Sequence, residues 1–106
     1  MKNFLFIASE NDALYNCKVG GVADVIRDVP REIAKKGDKV HVIVPSYSRL
    51  HQTGTLICHL NFTLRGEPYV AYLYKVIPKE NHENISHYVI HHPEIQGGGY
   101  WEYLSS

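Results

Sequence analysis

The chain has 106 residues, of which 44% are hydrophobic and 21% charged, so it reads as an ordinary soluble globular protein with length for one small domain. Eleven Lys and Arg balance eleven Asp and Glu. That balance lacks the basic footprint of a nucleic-acid binder, and no partner of that kind is expected. No apolar run approaches the ~20 residues of a membrane span, and the N-terminus lacks the core and cleavage site of a signal peptide. A cytoplasmic location without membrane partners is the expectation. Two cysteines, Cys17 and Cys58, are too few for a disulfide framework. The sequons at Asn61 and Asn84 are read as chance matches.

In chain order, residues 3–8 form a short apolar run, expected to be a parallel strand buried on both faces. Residues 9–19 read as an irregular polar loop. Gly20-Gly21 opens a helix in which Val22, Ile26, Val29 and Ile33 are spaced to share one face. Pro30 lies inside the pattern and predicts a kink or a restarted turn near Val29. Lys35, Lys36 and Gly37 supply a positive last turn and a C-cap. Asp28 is expected to pair with Arg31 and Glu32 with Lys35 or Lys36, with Arg27, Arg31, Lys35 and Lys39 on a solvated side. Residues 39–44 are a second buried strand, which completes a βαβ unit. Segments 55–64, 69–77 and 86–91 read as strands, the first two joined as a hairpin across 65–68. The last is a candidate to rejoin the parallel sheet. The fold class is therefore α/β, with a Rossmann-like βαβ start and a mixed sheet completed by a β-hairpin. An incomplete sheet exposes an edge through which copies could pair.

The informative stretch lies between the first strand and the helix, where open α/β sheets bind ligands. Gly20 and Gly21 lack a Cβ, so the backbone can turn sharply and approach a ligand closely. The helix N-terminus behind them presents N–H groups to an anion, and Lys18 adds a mobile positive charge. Together they suit a phosphate or diphosphate. The alternative is that the glycines only make a tight turn and Lys18 is solvated. Neither G-x-G-x-x-G nor G-x-x-x-x-G-K-[ST] is present, which argues against a dinucleotide fold and a P-loop. Seven histidines are many for this length. His87 and His91 would share a strand face with His92 pointing away, a poor set for zinc, and no metal site is expected. Cys17 beside the loop is read as a plain loop cysteine rather than a reactive thiolate.

Ala8-Ser9-Glu10 followed by Lys18-Val19-Gly20-Gly21-Val22-Ala23-Asp24-Val25 resembles the N-terminal signature of the glycogen and starch synthase family. Val29-Pro30, residues 34–37, residues 40–44 and Pro45-x-Tyr47 also fit, as do His92-Pro93-Glu94 and the glycines before Tyr100. The loop from Glu10 to Lys18 is about two residues longer than the family's, Ala13 or Leu14 stands where a proline is usual, and Val22 replaces a leucine. The resemblance implies that residues 1–106 are one partial N-terminal catalytic domain of a two-domain GT-B glycosyltransferase. Such an enzyme moves glucose from ADP-glucose or UDP-glucose to an α-1,4-glucan with retention, and needs no metal or other cofactor. Donor-binding roles carry over to Lys18, Gly20 and Gly21, and an active-site or acceptor-side role to Asp24; no catalytic residue is assigned. The C-terminal half of the family's site falls outside this chain, which alone is expected to be inactive. The alternatives are a non-catalytic relative that binds glucan or a partner, and an unrelated anion-binding α/β domain.

Overall fold

The computed structural model describes residues 1–47 and 49–92. The resemblance at His92-Pro93-Glu94 beyond His92, the glycines 97–99, and the aromatic Tyr100, Trp101 and Tyr103 lie outside the described residues. The elements are β1 (Asn3–Ile7), α1 (Gly21–Lys35), β2 (Lys39–Pro45), a short 3-10 turn (Leu50–Thr53), β3 (Thr55–Leu64), β4 (Glu67–Val76) and β5 (Ile85–His91). The strands form a five-stranded mixed sheet in the order β1-β2-β5-β4-β3. Two compact units are distinguished: Met1–Val44 with Ile77–Tyr88, and Pro45–Val76 with the chain from Val89.

In the first unit β1 runs parallel to β2, in register from Asn3 opposite Lys39 to Ile7 opposite Ile43. Strand, helix and parallel strand follow the expected βαβ order. Val40, Val42 and Val44 are fully buried and alternate with half-buried His41 and Ile43. Strand β1 departs from expectation. Leu5 is 58% and Ile7 76% exposed, and only Phe4 and Phe6 turn inward. Among the described residues β1 is the outermost strand of the sheet, with a neighbour on one side only, and its Leu5 and Ile7 face is left to solvent.

Helix α1 also differs in which face it buries. Ala23 and Pro30 are its fully buried residues, with Ile26 and Ile33 partly covered, while Val22, Val25 and Val29 are exposed. The apolar stripe is rotated about one position from the Val22–Val29 line, because the small Ala23 and compact Pro30 allow closer approach than valine. The helix runs unbroken through Pro30, and the expected restart near Val29 does not occur. The C-terminus ends as expected. Gly37 adopts φ +90°, and the N–H groups of Lys36 and Gly37 donate to the carbonyls of Ile33 and Ala34.

In the second unit β3 and β4 form an antiparallel hairpin, interrupted by a register shift between Leu56 and Cys58. The turn is tighter than expected. It consists of Arg65 and Gly66 alone, both at positive φ (53° and 79°), as a two-residue hairpin turn requires. Glu67 and Pro68 therefore belong to β4 and not to the turn. Ser46 Oγ lies 2.6 Å from His51 Nδ1 and accepts the His51 backbone N–H, which closes the 3-10 turn.

Candidate functional site

The loop between β1 and α1 is organised by three consecutive polar residues, each holding a different element. The buried Glu10 carboxylate reaches across to the start of the helix. It accepts the N–H of Val19 at 2.7 Å, of Gly20 at 3.1 Å to each oxygen, and of Ala23 at 3.0 Å. Gly20 is the N-cap position and carries no side-chain cap, so the orphan donors of the first turn would otherwise need water. A carboxylate there is also favoured by the helix dipole.

Asn11 is fully buried, and its Nδ2 donates to His87 Nδ1 at 3.0 Å while its Oδ1 accepts the Ala13 N–H. An accepting Nδ1 requires neutral imidazole. Burial, helped by the positive charge of Arg31 and of His82 when protonated, pushes the His87 pKa down to about 4, which agrees with that tautomer. His87 is thus a buried anchor for the loop rather than a solvated strand histidine. Asp12 accepts from Lys79 at 3.0 Å and from Arg27, which also pairs with Asp28 at 2.7 Å. The Lys79 hydrogen bond, with Arg27 beside it, holds the Asp12 carboxyl below the usual carboxylate range. Asp28 pairs with Arg27, not with the expected Arg31, which instead lies 3.9 Å from Glu80. Glu32 pairs with Lys35 as expected.

Lys18 and Asp24 are brought together directly. Lys18 Nζ donates to Asp24 Oδ1 at 2.9 Å, and Arg27 lies 3.4 Å from the same oxygen. Hydrogen bonding to Asp24 raises the Lys18 pKa, so the ammonium is fully charged at neutral pH. Its side chain is 47% exposed, leaving most donor directions open.

Neither glycine is required by the backbone. Gly20 has φ −150°, an extended conformation open to any residue, and a Cβ there would meet only Glu10 Oε1 at 3.7 Å. A Cβ on Gly21 would meet nothing within 4 Å, and Gly21 is not at positive φ. The two residues nonetheless differ in what they present. The Gly20 N–H is taken by Glu10, whereas those of Gly21 and Val22 are not among the donors to that carboxylate.

Cys17 is buried, and its carbonyl accepts the Asn11 N–H. His92 is buried against the rings of Phe62 and Tyr69, and His91 stacks on His51 with centroids 3.7 Å apart. Among the described residues no group of three or more His, Cys, Asp or Glu is placed to hold a metal ion, and no helix is long and apolar enough to cross a membrane.

Residues 3–105 match the family described as the starch synthase catalytic domain, and the chain belongs to that family. It is 31% identical over 96 residues to a glycogen synthase of Hydrogenobaculum sp. (strain Y04AAS1), covering 90% of this chain and 19% of that protein. It is 33% identical over 70 residues to a glycogen synthase of Aliivibrio salmonicida (strain LFI1238), covering 66% of this chain and 14% of the relative. Among solved structures, the catalytic domain of starch synthase IV from Arabidopsis thaliana, bound to ADP and acarbose, superposes with a TM-score of 0.60 at 20% identity. The match covers 87% of this chain and 18% of that one. That likeness is one of fold, and it agrees with the α/β, GT-B-type start expected from the sequence. The chain thus spans less than a fifth of each of these proteins.

Proposed function

We propose that this chain supplies the donor-phosphate half-site of a retaining glucosyltransferase, within one partial N-terminal catalytic domain. The enzyme would transfer glucose from ADP-glucose or UDP-glucose to an α-1,4-glucan in the cytoplasm. The observation that carries the reading is the pair of glycines. The backbone demands glycine at neither Gly20 nor Gly21, so the tight-turn alternative loses its reason. Glycine at both positions keeps the start of α1 clear of side chains where a ligand would approach, which supports this reading.

The chemistry follows from charge. As the glucosyl bond breaks, the leaving nucleoside diphosphate gains negative charge. Lys18 and the Gly21 N–H at the positive end of α1 are fixed in advance to meet it. Asp24 holds Lys18 at the helix start until the phosphate competes for the ammonium. The rest of the donor and acceptor sites is assigned to protein outside these residues, so this chain alone would bind weakly and not turn over. We also propose that copies of this chain pair through the outer edge of β1, which has a neighbouring strand on one side only among the described residues.

The test is ligand-observed NMR of the chain with ADP-glucose, UDP-glucose, ADP and a maltooligosaccharide, with Lys18→Ala in parallel. Nucleotide-sugar binding that disappears in Lys18→Ala is the expected result. Binding of the maltooligosaccharide alone would instead favour a non-catalytic glucan-binding role. Nucleotide binding unaffected by Lys18→Ala would remove Lys18 from the site.

A further inference from the structure

We infer that Glu10 is the positioning residue of this half-site, an internal anion that occupies the amide cradle at the start of α1 and reserves it against free phosphate. The inference rests on the donor-site reading above and makes it more specific. Three N–H groups that a phosphate would use, those of Val19, Gly20 and Ala23, converge on one side chain from ten residues or so upstream. Glu10 is 9% exposed, so its carboxylate is part of the loop's interior rather than a passing surface contact. The carboxylate stands at the positive end of the helix dipole, and its negative charge repels a second anion from the same amides.

Two consequences follow. The loop is held in its ligand-ready shape before any ligand arrives, because Glu10 ties Val19, Gly20 and Ala23 together on both sides of Gly21. A phosphate that binds must therefore do so beside the cradle, at the Gly21 N–H and Lys18. That arrangement selects for a diphosphate carried by a nucleotide, whose remaining contacts hold it in place. It selects against inorganic phosphate, which has only the Gly21 N–H and one lysine to hold it.

The experiment is amide-resolved NMR of the wild-type chain and Glu10→Ala, titrated with inorganic phosphate, formate and ADP. In the wild type, phosphate is expected to leave the amides of Val19, Gly20 and Ala23 unmoved, and ADP to shift Gly21 without shifting Gly20 or Ala23. In Glu10→Ala, formate and phosphate are expected to shift those three amides and to restore their protection from hydrogen exchange. Phosphate should bind the variant at least about tenfold more tightly than the wild type. A purely structural Glu10 would give loss of order without this gain of anion binding.

A folded Glu10→Ala whose three amides ignore both anions overturns the inference, whatever ADP does. Phosphate shifting those amides in the wild type also overturns it, and this arm needs no variant should Glu10→Ala fail to fold. Absence of ADP binding in the wild type, with anion rescue intact in Glu10→Ala, would refute the donor-site reading and leave the role of Glu10 standing.

Discussion

Acidification is expected to loosen the site, because the loop hangs on a neutral histidine. His87 accepts from Asn11 only when Nδ1 is unprotonated, and burial holds its pKa at about 4. In the unfolded chain the same group titrates near the ordinary imidazole value of 6.5. The folded value is the lower one, so His87 contributes stability above about 6.5 that is lost as pH falls through about 4. The interval of about 2.5 pH units between 6.5 and about 4 amounts to about 3–4 kcal/mol at about 1.4 kcal/mol per unit. For a small domain that is a large share of total stability. His51 and His91 are also shifted down, chiefly by burial, and act in the same direction. The assay is urea unfolding followed by circular dichroism across this pH range, with the His87 imidazole titrated by NMR. A steady loss of stability of that size is expected, with Asn11 and Ala13 amide protection lost in step. A His87 pKa at or above 6.5, or stability flat between neutral pH and about 4, would refute the Asn11–His87 anchor.

Asn11→Ala removes the donor to buried His87 and the acceptor for the Ala13 N–H, and is expected to cost about 1–3 kcal/mol in urea unfolding at neutral pH. Gly54→Ala places a Cβ 3.0 Å from Tyr74 and Val76 and 3.1 Å from the Lys75 carbonyl, so a loss of about 1–3 kcal/mol is expected by the same measurement. Gly21→Ala should leave the melting temperature unchanged or slightly raised, since nothing crowds the new Cβ and alanine favours helix. It should nevertheless weaken ADP binding measured by NMR. Ile7→Lys on exposed β1 should change stability by less than about 0.5 kcal/mol and abolish any self-association seen in sedimentation.

The regular elements were legible because their signals are local. The Val40-Val42-Val44 alternation marked β2, Gly37 marked the end of α1, and the Arg65-Gly66 pair sat where the hairpin turns. The errors came from relations that a linear pattern does not carry. An apolar run such as residues 3–8 reads the same on an inner strand and on an outermost one, so the exposure of Leu5 and Ile7 was invisible. The spacing of Val22, Ile26 and Val29 identified a helix, but the choice of inner face was decided by how closely Ala23 and Pro30 can pack. At the site, the Lys18-x-Gly20-Gly21 string was readable while its supports were not. Glu10 caps the helix from across a loop, Asn11 meets His87 from 76 positions away, and Asp12 meets Lys79 from 67. One signal did point to a carboxylate in the loop. A helix that starts at glycine without a Ser, Thr, Asp or Asn cap needs an acceptor from elsewhere, and the loop before it offers two carboxylates, Glu10 and Asp12, between which the linear order does not choose.

The most direct measurement is the binding of ADP-glucose to this chain and to Lys18→Ala, followed at the Gly21 amide. Saturable perturbation of Gly21 that is lost in Lys18→Ala is the expected result. A folded wild-type chain in which ADP-glucose and UDP-glucose leave both Lys18 and Gly21 undisturbed would contradict the donor half-site.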